Sequence, residues 1–187
     1  MDLFLIFNVP NIIDYARVIL LVYAVFLPDR LFLVAYGVSS SLDFFDGHAA
    51  RFFNQCSMLG ACLDMIIDRV STVVIGMRII KKEETMYQAI SIYILIDLIS
   101  HFIHFSMSTG SHKKCSNIFL KIYYSKIVLF PICLLSEAFF MSVLYFKNLN
   151  GIVYALGGVC VLKTFFHIVQ LFTAISRMSM IRNVKKE

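Results

Sequence analysis

Six long apolar runs, Asn11 to Leu27, Leu31 to Ala50, Gly60 to Ile80, Tyr87 to Phe105, Ile127 to Phe146 and Gly151 to Ile175, fill most of a 187-residue chain. Each is close to the ~20 residues that an α-helix needs to cross a bilayer core. Only short connections remain between them. The composition agrees: 59% of residues are hydrophobic and 16% charged, whereas soluble domains run at ~45–50% and ~25%. That balance excludes a soluble globular enzyme, a disordered chain and a nucleic-acid-binding module. The expected fold is all-α, a polytopic membrane bundle of six transmembrane helices in a phospholipid bilayer, organised as one domain over residues 1–187. Met1 to Phe7 is too short to cross and is expected in the interface. Val18 to Leu27 runs into Pro28-Asp29-Arg30 rather than a small-residue cleavage site, so the first segment is expected to stay as a span.

Lysine and arginine counts orient the bundle. With a cytoplasmic N-terminus that side collects eleven, namely Arg17, Arg51, Arg69, Lys113, Lys114, Lys121, Lys126, Arg177, Arg182, Lys185 and Lys186, and the other side five. Both termini are therefore expected to be cytoplasmic. The net charge of +5 becomes a juxtamembrane charge suited to anionic lipid or phosphate. Nucleic acid is not an expected partner. Five scattered cysteines without a Cys-x-x-Cys pair read as buried small residues in a reducing setting.

Charge inside a span is costly and therefore informative. Spans two and three carry Asp43 and Asp46, then Asp64 and Asp68. Spacings of three and four put each pair on one helix face. Asp43 precedes the connecting turn, placed at Phe52 to Leu59, by about as much as Asp68 follows it, so the pairs are expected to meet at one depth. Four carboxylates cannot all stay ionised at low dielectric without counter-charge. Arg51 and Arg69 are the basic residues available to neutralise two of them. Two hard divalent cations, Mg2+ or Mn2+, would neutralise all four and form a clamp suited to phosphoryl transfer.

The run Asp43-Phe-Phe-Asp46-Gly47-His-Ala-Ala50-Arg51, followed at fixed spacing by Gly60, Asp64 and Asp68, resembles the signature of the CDP-alcohol phosphotransferase family, with eight identities over 26 residues. Outside it, Val9-Pro10-Asn11-Ile-Ile-Asp-Tyr15-Ala16-Arg17, Phe53-Asn54-Gln55, Ser100-His101, His104, Ser111-His112-Lys113 and Ile122-Tyr123-Tyr124 resemble the eukaryotic phosphatidylinositol synthase branch. Asp14 in the first span and Cys56-Ser57 depart from the pattern.

The resemblance implies a homodimeric six-helix enzyme of the endoplasmic reticulum membrane, with its site facing the cytoplasm. The implied reaction joins CDP-diacylglycerol to myo-inositol, giving phosphatidylinositol and CMP. It implies two metal ions on Asp43, Asp46, Asp64 and Asp68, with Asp68 also the general base. Gly47, Arg51 and Ser57 are implied in binding CDP-diacylglycerol.

Asp97, His101 and His104 share one face of span four. They read as interhelical hydrogen-bonding groups or as a polar wall of the acceptor pocket, and a zinc site would need a closed tetrahedral set. Lys126 leads the basic residues placed for an acceptor or its phosphate. Glycerol 3-phosphate or serine is the alternative acceptor, because the signature handles nucleotide and metal rather than the alcohol. A cation transporter is disfavoured, since the acids cluster at one end of the membrane instead of lining a path.

Overall fold

Pro10 opens the first long helix and Asn8 caps it, its side chain accepting from the Asn11 N–H at 3.0 Å. Such local signals recur through a computed structural model that describes residues 3–108, 118–146 and 150–184. The order is α1 (Leu3–Ile6), α2 (Val9–Val25), α3 (Asp29–Phe52), α4 (Met58–Lys82), α5 (Tyr87–Ser108), α6 (Ile118–Tyr123), α7 (Lys126–Tyr145) and α8 (Gly151–Val184). A 3-10 turn, Glu84–Met86, leads into α5. No strand occurs among the described residues. The six long helices fall on the six apolar runs, and the expected interfacial segment holds α1. Three stretches, Glu84–Met107, Ile127–Tyr145 and Gly151–Ser179, are long and apolar enough to cross a membrane. Of the other three long helices, α2 has only 17 residues, and α3 and α4 carry several charged residues within their length. The protein is a helical membrane protein.

The chain forms two compact units, one reaching to Arg78 and the other starting at Ile79. In the first, α2 packs along α3 through a polar seam. Asn11, Asp14 and Arg17, three residues apart, are all buried, while Ile19, Val22 and Phe26 are exposed. This inversion of the soluble pattern suits a helix that meets lipid outside and charge inside.

The α3–α4 connection is closed by backbone chemistry. Asn54 takes a left-handed φ of 55°, which asparagine tolerates better than most residues. Asn54 N–H donates to Arg51 O at 3.4 Å and Gln55 N–H to Ala50 O at 2.8 Å, a Schellman stop for α3. Ser57 then caps α4, its Oγ accepting from Gly60 N–H at 3.0 Å. Gln55 Oε1 accepts from Val9 N–H at 3.0 Å, which ties the turn to the start of α2. At the far end Arg78 donates to Asp29 and to Leu27 O, and lies 5.1 Å from the Phe32 ring centroid.

In the second unit α8 packs against α5 and α7. Tyr93 meets Phe140 edge-on at 5.2 Å, and Tyr123 of α6 stacks on Phe166 at 4.5 Å. Lys82 donates to the carbonyls of Val143, Leu144 and Phe146 at the C-terminal end of α7. A cation there suits the negative end of the helix. An apolar groove of about 640 Å³ lies among α5, α7 and α8, with Tyr93, Phe140, Gly157 and Phe165 in its walls.

Candidate active site

Each signature aspartate stands where helix periodicity puts it. Asp43 and Asp46 share the inner face of α3, and Asp64 and Asp68 that of α4. All four converge on the guanidinium of Arg17 from α2. Arg17 Nη1 lies 2.9 Å from Asp46 and 3.4 Å from Asp64, and Nη2 lies 2.7 Å from both Asp43 and Asp68. The two acidic pairs therefore do meet at one depth. A fifth carboxylate, Asp14, stands 3.3 Å from Nη1. Arg17 and Asp14 are each 2% exposed, while Asp43 and Asp64 are 41% and 48% exposed on the open side.

Of the available basic residues Arg51 and Arg69, Arg69 lies 3.6 Å from Asp68. The central counter-charge is Arg17, whose planar fork serves two groups of acceptors at once. Arg51 instead folds back along α3, its guanidinium at van der Waals distance, 3.4 Å, from where a Cβ on Gly47 would be. Gly47 leaves that approach open.

Carboxylate oxygens of Asp14, Asp46 and Asp64 lie within 4.8 Å of one another, as do those of Asp43, Asp64 and Asp68. Oxygen-only donor sets of this kind match hard divalent cations. One guanidinium cannot satisfy five carboxylates, and the shortfall is visible. Asp43 Oδ1 and Arg17 Nε are buried without a hydrogen bond, although Oδ1 is 2.7 Å from Nη2. The residues fit a cation site, with Arg17 standing in as an internal cation.

Beside the cluster a cleft of about 160 Å³ is lined by Gly47, Arg51 and Ser57 together with Asp14, Asp46 and Asp64. The three residues expected to contact the nucleotide thus share one wall system with the acids. Gly60 also lines it. A Cβ there would come within 3.0 Å of Asn11 Oδ1, so glycine keeps α4 close to α2.

A family model described as CDP-alcohol phosphatidyltransferase matches residues 7–176. The chain belongs to that family. Several curated relatives carry the name CDP-diacylglycerol–inositol 3-phosphatidyltransferase. The one from Candida albicans is 36% identical over 155 residues, covering 76% of this chain and 66% of the relative. The human one is 32% identical and covers 91% of both chains. That of Saccharomyces cerevisiae is 35% identical, covering 71% of this chain and 65% of its own. This chain thus spans about two thirds of the fungal relatives' length. No solved structure matches it. The family and the apolar helices together make the protein a membrane-bound transferase of phospholipid biosynthesis.

The expected grouping of His101 with His104 divides in the structure. His101 Nδ1 lies 3.5 Å from Asp97 Oδ1, and His167 Nδ1 of α8 approaches the same oxygen at 3.4 Å. His104 stacks on Tyr124 at 5.8 Å instead. Lys126 opens α7, but its side chain, like Ser111 to Lys113, lies outside the described residues. Sequence reasoning named Arg17 and Asp14 without assigning either to the site, and passed over His167. The signal for the first two was present, as polar residues at spacing three inside an apolar run form a stripe on one helix face. His167 is linked to Asp97 only by tertiary packing between α5 and α8.

Proposed function

We propose that the chain transfers the phosphatidyl group of CDP-diacylglycerol to myo-inositol, releasing CMP. What carries this reading is the convergence of Asp43, Asp46, Asp64 and Asp68 beside a cleft that also holds Gly47, Arg51 and Ser57. The names of the relatives support the acceptor.

In this proposal the four signature aspartates hold two Mg2+ or Mn2+ ions. Bound there, such ions supply charge neutralisation of the pyrophosphate and of the oxygen that leaves with CMP. The chain's own groups do the rest. Gly47 lets the nucleotide approach the α3 backbone, and Arg51 beside it is directed to nucleotide or phosphate. Ser57 Oγ, already holding the α4 N-terminus, has a lone pair and a proton for a substrate oxygen. An inositol hydroxyl oxygen forms the new bond to the lipid-bearing phosphorus as the bond to CMP breaks, and the hydroxyl proton passes to Asp68. A carboxylate of reference pKa ~3.9 is a weak base, so Asp68 acts by proximity and orientation.

The fuller placement belongs to the same proposal. It is one family domain over residues 1–187, with α2 to α4 completing six spans, both termini cytoplasmic, and a homodimer in the endoplasmic reticulum membrane. At 1.5 Å per residue the 17, 24 and 25 residues of α2, α3 and α4 extend roughly 26, 36 and 38 Å, close to a core ~30 Å thick. The lipid tails stay in the bilayer while nucleotide and inositol arrive from water, which a site near the α3–α4 turn allows. His101, His104 and Lys126 are assigned to acceptor recognition.

The test is incubation of purified protein with CDP-diacylglycerol, Mn2+ and each radiolabelled alcohol. Labelled phosphatidylinositol with stoichiometric CMP is expected. Incorporation of glycerol 3-phosphate or serine in place of inositol overturns the acceptor assignment, and no CMP release with any alcohol overturns the activity.

A further inference from the structure

Asp14 lies outside the family signature, yet it is among the most buried carboxyl groups of the cluster, at 2% exposure. It reaches the cluster from α2, one helical turn before Arg17, on a buried face that also carries Asn11. Arg17 divides the five carboxylates between its two terminal nitrogens. Nη1 takes Asp14, Asp46 and Asp64, and Nη2 takes Asp43 and Asp68. The carboxylates fall into the same two sets when grouped by mutual distance, with Asp64 shared between them. Asp14 thus groups with Asp46 and Asp64 both around Arg17 Nη1 and by mutual oxygen distance.

We propose that Asp14 is a fifth carboxylate ligand of the cation site, completing a three-oxygen group with Asp46 and Asp64. The inference rests on the cation-dependent reading above. Charge gives it a consequence. Five carboxylates less Arg17 and the Arg69 guanidinium beside Asp68 leave three negative charges against the four positive charges of two divalent cations. With the four signature aspartates alone the two guanidiniums leave two, and the unbalanced positive charge doubles. Asp14 therefore favours occupancy by both ions before the CDP-lipid arrives.

The experiment is a Mn2+ titration of the purified, EDTA-stripped full chain in lipid nanodiscs without CDP-lipid, followed by the loss of free Mn2+ in its electron paramagnetic resonance signal. Wild type is expected to bind two ions. Asp14→Asn should keep one at unchanged affinity and weaken the other at least tenfold. Should that variant fail to fold, Asp14→Glu keeps the charge that pairs Arg17 but displaces the ligating oxygens, and is expected to weaken one ion at least threefold. A variant isotherm superimposing on wild type overturns the proposal. So does equal weakening of both ions, which is the effect of a distant charge rather than a ligand. Two ions on wild type with no effect of Asp14 would sink this inference alone, whereas no Mn2+ bound by wild type would also remove the cation-dependent reading.

Discussion

Replacing Arg17 by glutamine isolates the internal cation. The side chain stays polar and of similar reach, but the positive charge among five carboxylates is gone. Breaking a buried ion pair costs ~3–5 kcal/mol, because the abandoned partner keeps its desolvation penalty. Only Asp14 and Asp46, at 2% and 7% side-chain exposure, qualify as such partners. Asp43, Asp64 and Asp68 are 34% to 48% exposed, and water screens them to roughly 0–1 kcal/mol each. The expected destabilisation in EDTA is therefore at the lower end, about 3 kcal/mol. At ~2–4 °C per kcal/mol for a chain of this size, the melting temperature should fall on the order of 6–12 °C. Far-ultraviolet circular dichroism is the suitable probe, since the chain has no tryptophan. Divalent cation should narrow this difference. A ligand at a hundred times its Kd stabilises by ~2.7 kcal/mol, and the variant no longer has a guanidinium competing for the same oxygens. Saturating Mn2+ should thus close at least half of the gap to wild type. Arg17→Lys should fall between, because one ammonium cannot serve both acceptor groups. A melting temperature for Arg17→Gln within 2 °C of wild type in EDTA, or a gap that Mn2+ leaves unchanged, would refute the internal-cation reasoning.

Asp68→Asn should retain CDP-lipid binding, read by equilibrium dialysis of labelled nucleotide, while CMP release falls at least a hundredfold, in the range of a lost general base; equal loss of both would count against the base. Gly60→Ala places a methyl 3.0 Å from Asn11 Oδ1 and 3.3 Å from Ser57 Oγ, so overpacking of roughly 1–3 kcal/mol is expected, seen as a lower melting temperature and slower turnover. Lys82→Met removes a donor shared by three carbonyls at the end of α7; a loss of about 1–2 kcal/mol is expected by thermal melting with Mn2+-dependent CMP release intact, since Lys82 lies in the second unit.

The helices were legible because hydrophobic length is a strong signal. The six runs became α2, α3, α4, α5, α7 and α8 with ends displaced by a few residues, apart from α8, which runs on past its predicted end to Val184. The aspartate quartet was legible too, since spacings of three and four fix a face before any tertiary fold is known. Arg17 was misplaced by a counting rule. A lysine or arginine near a span end contributes to positive-inside statistics whether it faces lipid headgroups or the protein interior, and the sum is blind to which. Helical phase is not blind to it. Asn11, Asp14 and Arg17 fall on one stripe, while Ile12, Val18 and Ile19 are exposed. Read that way, the stripe demands a partner of opposite character, which spans two and three supply.

The same reasoning bears on why α3 and α4 are not marked as spans alongside α5, α7 and α8, whereas α2, at 17 residues, is set apart by its length. The charges within α3 and α4 and the site are one fact seen twice. A transferase joining a bilayer-bound lipid to a water-borne alcohol must hold carboxylates below the headgroups, and each one placed there lowers the mean hydropathy of the helix that carries it. The cost is met internally: Arg17 offsets part of the acidic charge, and the Schellman stop at Asn54 with the Ser57 cap leaves few backbone groups unpaired where the helices turn beside the cleft. For a chain of this kind, the polar spans of an otherwise apolar bundle are where chemistry should be sought first. The depth of their charges then says from which side of the membrane the polar substrate enters.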